Sequence, residues 1–130
     1  MALNIRTYQL GSKRERDEGL RIGVVRRPPR GIRKEDYARL GYYDVWFPVL
    51  APSQVLLSWI HAHDSTDPVI WQTFTKRYER EMLNNTDSRQ SIQLLAILAK
   101  HTPISIGCHC SDEKRCHRSI LLRLIETAAR

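Results

Sequence analysis

The stretch ISIGCHCSDEKRCHRSILL, residues 104–122, carries the signals that decide the fold. Ile104–Cys108 is short, apolar and rich in β-branched residues, which predicts a buried strand. The polar residues that follow predict a loop, and apolar positions at helical spacing from about Cys116 to Ala129 predict a final helix. A buried strand that feeds a helix through a loop is typical of a sheet covered by helices.

Further strands and helices precede this stretch. The β-forming residues predict three more strands, at Asn4–Leu10, Leu20–Val25 and Tyr43–Phe47. Helical spacing of apolar residues predicts three more helices, over Gln54–His61, Pro68–Leu83 and Asp87–His101, the last capped by Asp87 or Ser88. Strands alternate with helices in the second half. This order predicts a small three-layer Rossmann-like α/β domain, with a short, mostly parallel sheet flanked by helices.

Length and composition narrow the class of protein. A chain of 130 residues with 42% hydrophobic residues has the size of one globular domain, so we expect a single domain over residues 1–130. The N-terminal MALNIRTYQL lacks the charged and apolar segments of a signal peptide, and no apolar run is long enough to span a membrane. We therefore expect a cytoplasmic protein without a membrane partner.

The cysteines are concentrated in one place. Cys108, Cys110 and Cys116 are an odd number within nine positions, which does not suit a disulfide framework spread across a fold. The sequence predicts either a site or reduced thiols here.

Positive charge is concentrated near the N-terminus. The net charge is +7, and residues 1–40 hold 11 Lys and Arg against 5 Asp and Glu. Such asymmetry favours an anionic partner, either a small phosphate or nucleotide or a nucleic acid bound through this basic region. A solvated basic surface is the alternative interpretation. The segment RRPPRG, residues 26–31, lies inside this region and predicts a rigid basic loop after the second strand.

The loop after Ile104–Cys108 is the candidate site. In parallel α/β sheets ligands bind beyond the carboxyl ends of strands, where loops lead into helix N-termini. His117 and Arg118 fall in the first turn of the final helix, so free backbone N–H groups and a guanidinium converge there and favour an anion. The same field is expected to lower the pKa of Cys116 and favour its thiolate.

Several chemistries compete for this loop. Tyrosine-phosphatase catalysis needs five residues between cysteine and arginine, and that spacing is absent. Cys110 and Arg115 have the four-residue separation of a rhodanese-like loop, but the two carboxylates between them oppose an anionic substrate. Metal binding has enough ligands for zinc or iron in Cys108, Cys110, Cys116 and His117, or His109 instead of His117, although one residue between the first two cysteines is an unusual spacing.

A purely structural role of the three cysteines is the alternative to catalysis and metal binding. Cys108 would end a buried strand as a small hydrophobe, Cys110 would be incidental, and Cys116 would pack at the start of the helix. We favour this interpretation for Cys110. It suits Cys116-His117-Arg118 less well, because a histidine and an arginine at a helix N-terminus oppose the helix dipole unless an anion binds there.

The chain also resembles the YeaO-like family, a bacterial domain of unknown function, over nearly its whole length. The matching motifs are Arg26 with Pro29-Arg30-Gly31, Lys34-Glu35, Asp44 with Trp46, Ala51-Pro52-Ser53, Trp59, His63-Asp64, Trp71 with Phe74, Arg77, Tyr78 and Glu81, and Cys108 with Cys116-His117-Arg118-Ser119. Val25 and Pro28 stand where relatives often carry aspartate and tryptophan, so no role of those residues is carried over. The resemblance implies a compact Rossmann-like α/β domain and no particular reaction.

The resemblance adds a second group of candidate residues. Arg26, Arg30 and Gly31 lie in the rigid loop, and we expect this loop to share a sheet edge with the cysteine loop. The resulting hypothesis is a pocket for a small anion bound by Arg26, Arg30, Gly31, Arg118 and Ser119, with Cys108, Cys116, His117 and Arg118 as the catalytic candidates. His63-Asp64 is a further candidate, as an oriented general base.

Overall fold

The computed structural model describes residues 3–130, and it consists of four strands and four helices. The strands are β1 (Ile5–Gln9), β2 (Leu20–Gly23), β3 (Val45–Trp46) and β4 (Ile104–Cys108). The helices are α1 (Gln54–His61), α2 (Pro68–Asn84), α3 (Thr86–His101) and α4 (His117–Ala128). Short 3-10 turns lie at Lys34–Asp36, Pro48–Leu50 and Glu113–Arg115.

The four strands form one parallel sheet in the order β1-β4-β2-β3. β4 is central, and Cys108 at its end is level with Gln9 of β1, while Gly107 is level with Gly23 of β2. The segments that follow β2 and β4 therefore leave the sheet at the same edge. The predicted α/β class with a parallel sheet is confirmed.

One face of the sheet packs against the helices. Ile22, Ile104 and Ile106 are at most 2% exposed and belong to the main hydrophobic core. The helices contribute buried side chains to the same core, among them Leu56, Phe74, Tyr78, Ile92, Leu95, Leu121 and Ile125. Burial of an apolar side chain of this size stabilises the fold by roughly 1.5–3 kcal/mol.

The opposite face of the sheet is covered by connecting segments, and its centre is polar. Arg21 on β2 is fully buried; it forms an ion pair with Glu18 and donates to the carbonyls of Ser12 and Gly41. Its guanidinium lies 4.2 Å from the ring centroid of Tyr8. The helices and the sheet form two layers, and residues 11–19 and 37–43 thus form the third. Arg21 binds this third layer to the sheet through its hydrogen bonds.

The helix boundaries agree with the hydrophobic spacing to within one or two residues, but the cap of α3 differs. Asn85, rather than Asp87 or Ser88, precedes the helix, and its side chain accepts hydrogen bonds from the backbone N–H groups of both residues. An asparagine oxygen in this position satisfies two donors that a helix start leaves free. Among residues 3–130, no helix has the length and hydropathy needed to cross a membrane.

Candidate functional site

The candidate site is built at the carboxyl edge of β4. Cys108 ends the strand, the chain turns through a 3-10 turn at Glu113–Arg115, and Cys116 is the N-cap of α4. The side chain of Asp112 caps the turn by accepting from the N–H of Lys114. The loop from Cys108 to Cys116 therefore returns to the end of β4, and the sulfurs of these two residues lie within 4.8 Å of each other.

Three sulfur atoms and one imidazole meet there, and we name Cys108, Cys110, Cys116 and His117 the thiol cluster. The three Sγ atoms all lie within 4.8 Å of one another, and the Cys108 and Cys110 sulfurs are 3.9 Å apart. His117 Nδ1 lies 3.8 Å from Cys108 Sγ and 4.0 Å from Cys116 Sγ. All three cysteines are free thiols. Cys108 and Cys116 are buried, whereas Cys110 is exposed.

The orientation of His117 follows from its hydrogen bond. Nε2 lies 2.7 Å from the carbonyl oxygen of Val24, and because a carbonyl oxygen only accepts, Nε2 carries the proton. Nδ1 is then the unprotonated nitrogen, and it faces the sulfur atoms. Burial lowers the pKa of His117 to about 4, so the ring is neutral at physiological pH.

The thiols differ in acidity because they hydrogen-bond to one another. The side chains of Cys110 and Cys116 stabilise a thiolate at Cys108 and hold the pKa of that thiol well below its usual range. The same hydrogen bonds raise the pKa of Cys110 and of Cys116. The expected low pKa of Cys116 is therefore wrong, because the sulfur of Cys108 outweighs the field of the helix end.

Arg118 and Ser119 hold the backbone of the loop. Arg118 is 4% exposed and its Nη1 donates to the carbonyl of Cys110 over 2.6 Å. The hydroxyl of Ser119 donates to the carbonyl of Cys116 over 2.9 Å. Neither side chain lines the cavity described next. Both residues belong to the loop's internal support, whereas the sequence predicted them as contacts to a ligand.

A cavity of about 390 Å³ separates the thiol cluster from the arginine loop, which we define as residues 26–31. Cys108, Cys110 and His117 line one side of the cavity. The side chains of the loop line the other, and its charged lining residues are Arg26, Arg27 and Arg30. No Asp or Glu is among the lining residues. The two predicted segments thus face each other across one pocket.

The arginines of this loop have different environments. Arg26 donates through Nε and Nη2 to the carbonyl oxygens of Ala51 and Pro52, which ties the loop to the start of α1. Arg27 and Arg30 are exposed at the mouth of the cavity. Gly31 has a φ of 74° and lies outside the lining. Arg26 therefore positions the loop, and Arg27 and Arg30 offer free guanidinium groups.

Arg27 and His61 also line the cavity, and neither was among the predicted ligand-binding or catalytic residues. Arg27 follows Arg26 in the basic segment of residues 26–31, and this position is the feature of the sequence that indicates a contribution to the cavity. His61 ends α1 and gave no signal of its own. His109, the alternative to His117 among the predicted metal ligands, lines the cavity as well.

The pair His63-Asp64 does not form a general-base dyad. Nδ1 of His63 lies 2.6 Å from the carbonyl of Trp59, and the ring stacks on that tryptophan. The carboxylate of Asp64 accepts from the backbone N–H and hydroxyl of Thr66. The two side chains therefore bind separate segments, His63 the end of α1 and Asp64 the turn before α2.

Several basic residues of the N-terminal region form ion pairs. They join Arg6 to Asp17, Arg14 to Asp44, Arg21 to Glu18, Arg33 to Glu35, and both Arg33 and Arg39 to Asp36. All of these carboxylates except Asp44 belong to residues 1–40 themselves, so the basic excess of the region is reduced by one charge only. Nucleic-acid binding through this region stays a prediction.

Fold and site define an α/β protein with a cysteine-containing loop at the carboxyl edge of a parallel sheet. A family model described as "Active DUF488-N3 subclade" matches residues 5–129, and the chain belongs to this family. It is 31% identical over 109 residues to an uncharacterized protein of Mycobacterium tuberculosis, Rv3073c, covering 84% of this chain and 82% of that one. It is 29% identical over 119 residues to the uncharacterized protein YeaO of Escherichia coli, covering 92% and 94%. No solved structure matches. The resemblance to the YeaO-like family is confirmed.

Proposed function

We propose that this protein binds a small phosphate- or nucleotide-like anion in the cavity between the arginine loop and the thiol cluster, and that Cys108 is the reactive thiol beside it. One observation carries the proposal: both segments line a single cavity of about 390 Å³ whose charged lining residues are all arginines. A cytoplasmic location belongs to the same proposal, because three free cysteines suit a reducing compartment.

The environment of the arginines supports an anionic ligand. Among residues 3–130, no carboxylate lies within ion-pair distance of Arg27 or Arg30. Guanidinium groups bind phosphate and carboxylate through two parallel hydrogen bonds. Apolar side chains of Pro28, Pro29 and Leu57 complete the lining, and they offer a surface for the ring of a nucleotide.

The position of Cys108 supports its role as the reactive group. It lies at the inner side of the cavity, and hydrogen bonds from the two neighbouring thiols favour its thiolate, which is the nucleophilic form. The family description calls the matched subclade active, which agrees with a reactive site and names no reaction.

Replacing Arg30 with glutamine is expected to weaken binding of inorganic phosphate and of adenosine monophosphate. A hydrogen bond to a charged group contributes about 1.5–3 kcal/mol, so the dissociation constant should rise about tenfold or more. NMR titrations would measure the dissociation constant, and we expect chemical-shift changes on anion binding at residues 26–30 and 108–110. Arg80→Gln is the matched control, because Arg80 is exposed on α2 and outside the cavity lining.

Equal phosphate affinity in the Arg30→Gln and Arg80→Gln variants would contradict the proposed binding site. Shifts confined to the N-terminal region would place the anion elsewhere and would contradict it as well.

The reactivity of Cys108 can be measured with two alkylating reagents of similar size. Iodoacetate is anionic and iodoacetamide neutral; each forms an S–C bond to the thiolate and releases iodide. The arginine loop should concentrate the anion, so the iodoacetate-to-iodoacetamide rate ratio at Cys108 should exceed that of a cysteine peptide about tenfold. Peptide mass spectrometry on protein treated with a chelator would give both rates.

Arg30→Gln is expected to lower this ratio, inorganic phosphate to protect Cys108, and Arg80→Gln to leave the ratio unchanged. A ratio at Cys108 equal to that of the free peptide would show that no anion is drawn to this thiol.

A further inference from the structure

We propose that Cys108, Cys110, Cys116 and Nδ1 of His117 together bind one zinc ion. The proposal concerns the thiol cluster itself and does not depend on an anion in the cavity.

Three of the distances within the thiol cluster are close to those of a tetrahedral metal site, and all three sulfurs lie within 4.8 Å of one another. Zinc binds sulfur at about 2.3 Å and nitrogen at about 2.0–2.1 Å, which puts tetrahedral ligand atoms about 3.6–3.8 Å apart. The Cys108 and Cys110 sulfurs are 3.9 Å apart, and His117 Nδ1 lies 3.8 Å and 4.0 Å from the sulfurs of Cys108 and Cys116. A disulfide would need about 2.05 Å, so the cluster holds separate thiols.

The fold removes the objection raised by the cysteine spacing. Cys108 ends β4 and the chain bends at His109, and this turn leaves the sulfurs of Cys108 and Cys110 3.9 Å apart. Cys116 has extended backbone angles of −132° and 144° as the N-cap of α4, and its side chain makes no capping hydrogen bond. Its sulfur is therefore directed to the cluster instead of to the helix start.

Hydrogen bonds from neighbouring segments orient two residues of the thiol cluster, His117 and Cys110. Nε2–H of His117 donates to the carbonyl of Val24, which directs the free Nδ1 to the sulfurs. Hydrogen bonds of this kind, from the second ring nitrogen to a carbonyl, are usual for metal-bound histidines. Arg118 holds the carbonyl of Cys110 and so fixes the one exposed ligand. These two hydrogen bonds thus orient His117 and the backbone of Cys110 toward the other two cysteines.

Zinc and the proposed anion are compatible. Cys108, Cys110 and His117 line the cavity, whereas Cys116 does not, so the ion would lie at the inner side of the pocket. A zinc-bound cysteine remains a thiolate, and metal coordination is one of the ways in which a nucleophile is activated.

Metal analysis of the protein purified without a histidine tag tests the proposal. We expect one zinc per chain, either as purified or after reconstitution of the reduced protein. Cobalt(II) in its place should give the intense visible absorption of a tetrahedral site and thiolate-to-cobalt charge transfer in the near ultraviolet. Cys110→Ser is the main variant because its side chain is exposed, so the chain should fold, and its zinc affinity should fall about 100-fold.

His109→Asn is the matched control, since His109 is exposed, lies in the same loop and is not in the cluster; its zinc affinity should be unchanged. Folded protein without stoichiometric zinc after reconstitution would overturn the proposal, as would stoichiometric iron in its place or a Cys110→Ser variant with normal affinity. Arg30→Gln should retain zinc while binding phosphate weakly, so failure of the metal site and failure of the anion pocket give different results.

Discussion

Replacing Glu18 with alanine is expected to destabilise the protein by about 3–5 kcal/mol, because it leaves a buried guanidinium without its counter-charge. The side chains of Arg21 and Glu18 are 0% and 4% exposed. Nε of Arg21 donates to one oxygen of the carboxylate over 2.5 Å and Nη2 to the other over 3.0 Å. Both charges are thus removed from water, and each is the counter-charge of the other.

The carbonyl groups around Arg21 do not replace the lost charge. Ser12 and Gly41 accept hydrogen bonds from its Nη1, and the Tyr8 ring lies against its guanidinium, but these groups are neutral. Urea unfolding at pH 7 would measure the free energy of unfolding. Glu15→Ala is the matched control, since Glu15 is exposed in the same loop, and it should change stability by about 0.5 kcal/mol or less. A Glu18→Ala variant as stable as this control would contradict the expected role of the pair.

The same pair makes stability depend on pH. The hydrogen bonds from Arg21 lower the pKa of Glu18 below its usual value of 4.5. The unfolded chain therefore binds this proton more readily than the folded one, and the contribution is fully present above the unfolded pKa. It is lost as pH falls through the folded pKa. Glu18→Gln should remove this part of the acid dependence, seen as a flatter stability profile below pH 4.5.

Replacing Gly19 with alanine is expected to cost about 2–5 kcal/mol, from backbone strain and overpacking together. Gly19 has a φ of 73°, in the left-handed region that side chains disfavour. A Cβ there would lie 2.0 Å from the carbonyl oxygen of Pro103. That oxygen accepts from the N–H of Leu20, so the clash would separate the starts of β2 and β4.

Gly31→Ala separates backbone strain from overpacking, because Gly31 has a similar φ of 74° but no atom of residues 3–130 comes within 4 Å of an added Cβ. We expect only the strain, about 1–2 kcal/mol, in this control. Thermal unfolding of both variants would compare them. A Gly19→Ala variant no less stable than Gly31→Ala would show that the close approach to Pro103 does not matter.

Most of the secondary structure could be predicted because the signals are local. The apolar positions of α1 follow helical spacing, and Ile104–Cys108 is a short β-branched run between a proline and a polar loop. The cap of α3 was missed since Asn85, Asp87 and Ser88 are all good cap residues and the sequence does not rank them. β3 is shorter than predicted, and its Trp46 is 40% exposed at the sheet edge.

The sequence pointed to the two loops that line the cavity, but not to the contacts that their side chains make. Residue types and their place after a buried strand pointed to the cysteine loop and the arginine loop. The sequence could not show that Arg118 binds a loop carbonyl, or that Cys108 carries the lowered pKa. Both depend on distances of a few ångströms, which spacing along the chain does not determine.

The sequence by itself determined the α/β pattern, the family, and the two segments between which the cavity lies. The tertiary structure alone decided that β4 is central, that Arg21 and Glu18 are buried together, and that three sulfurs lie within 4.8 Å of one another with His117 Nδ1 3.8 Å from the sulfur of Cys108. The physical reason is that hydrophobic periodicity records whether a residue is buried. Which residues are buried against each other depends on strand order and register, and these are set by contacts between segments far apart in the chain.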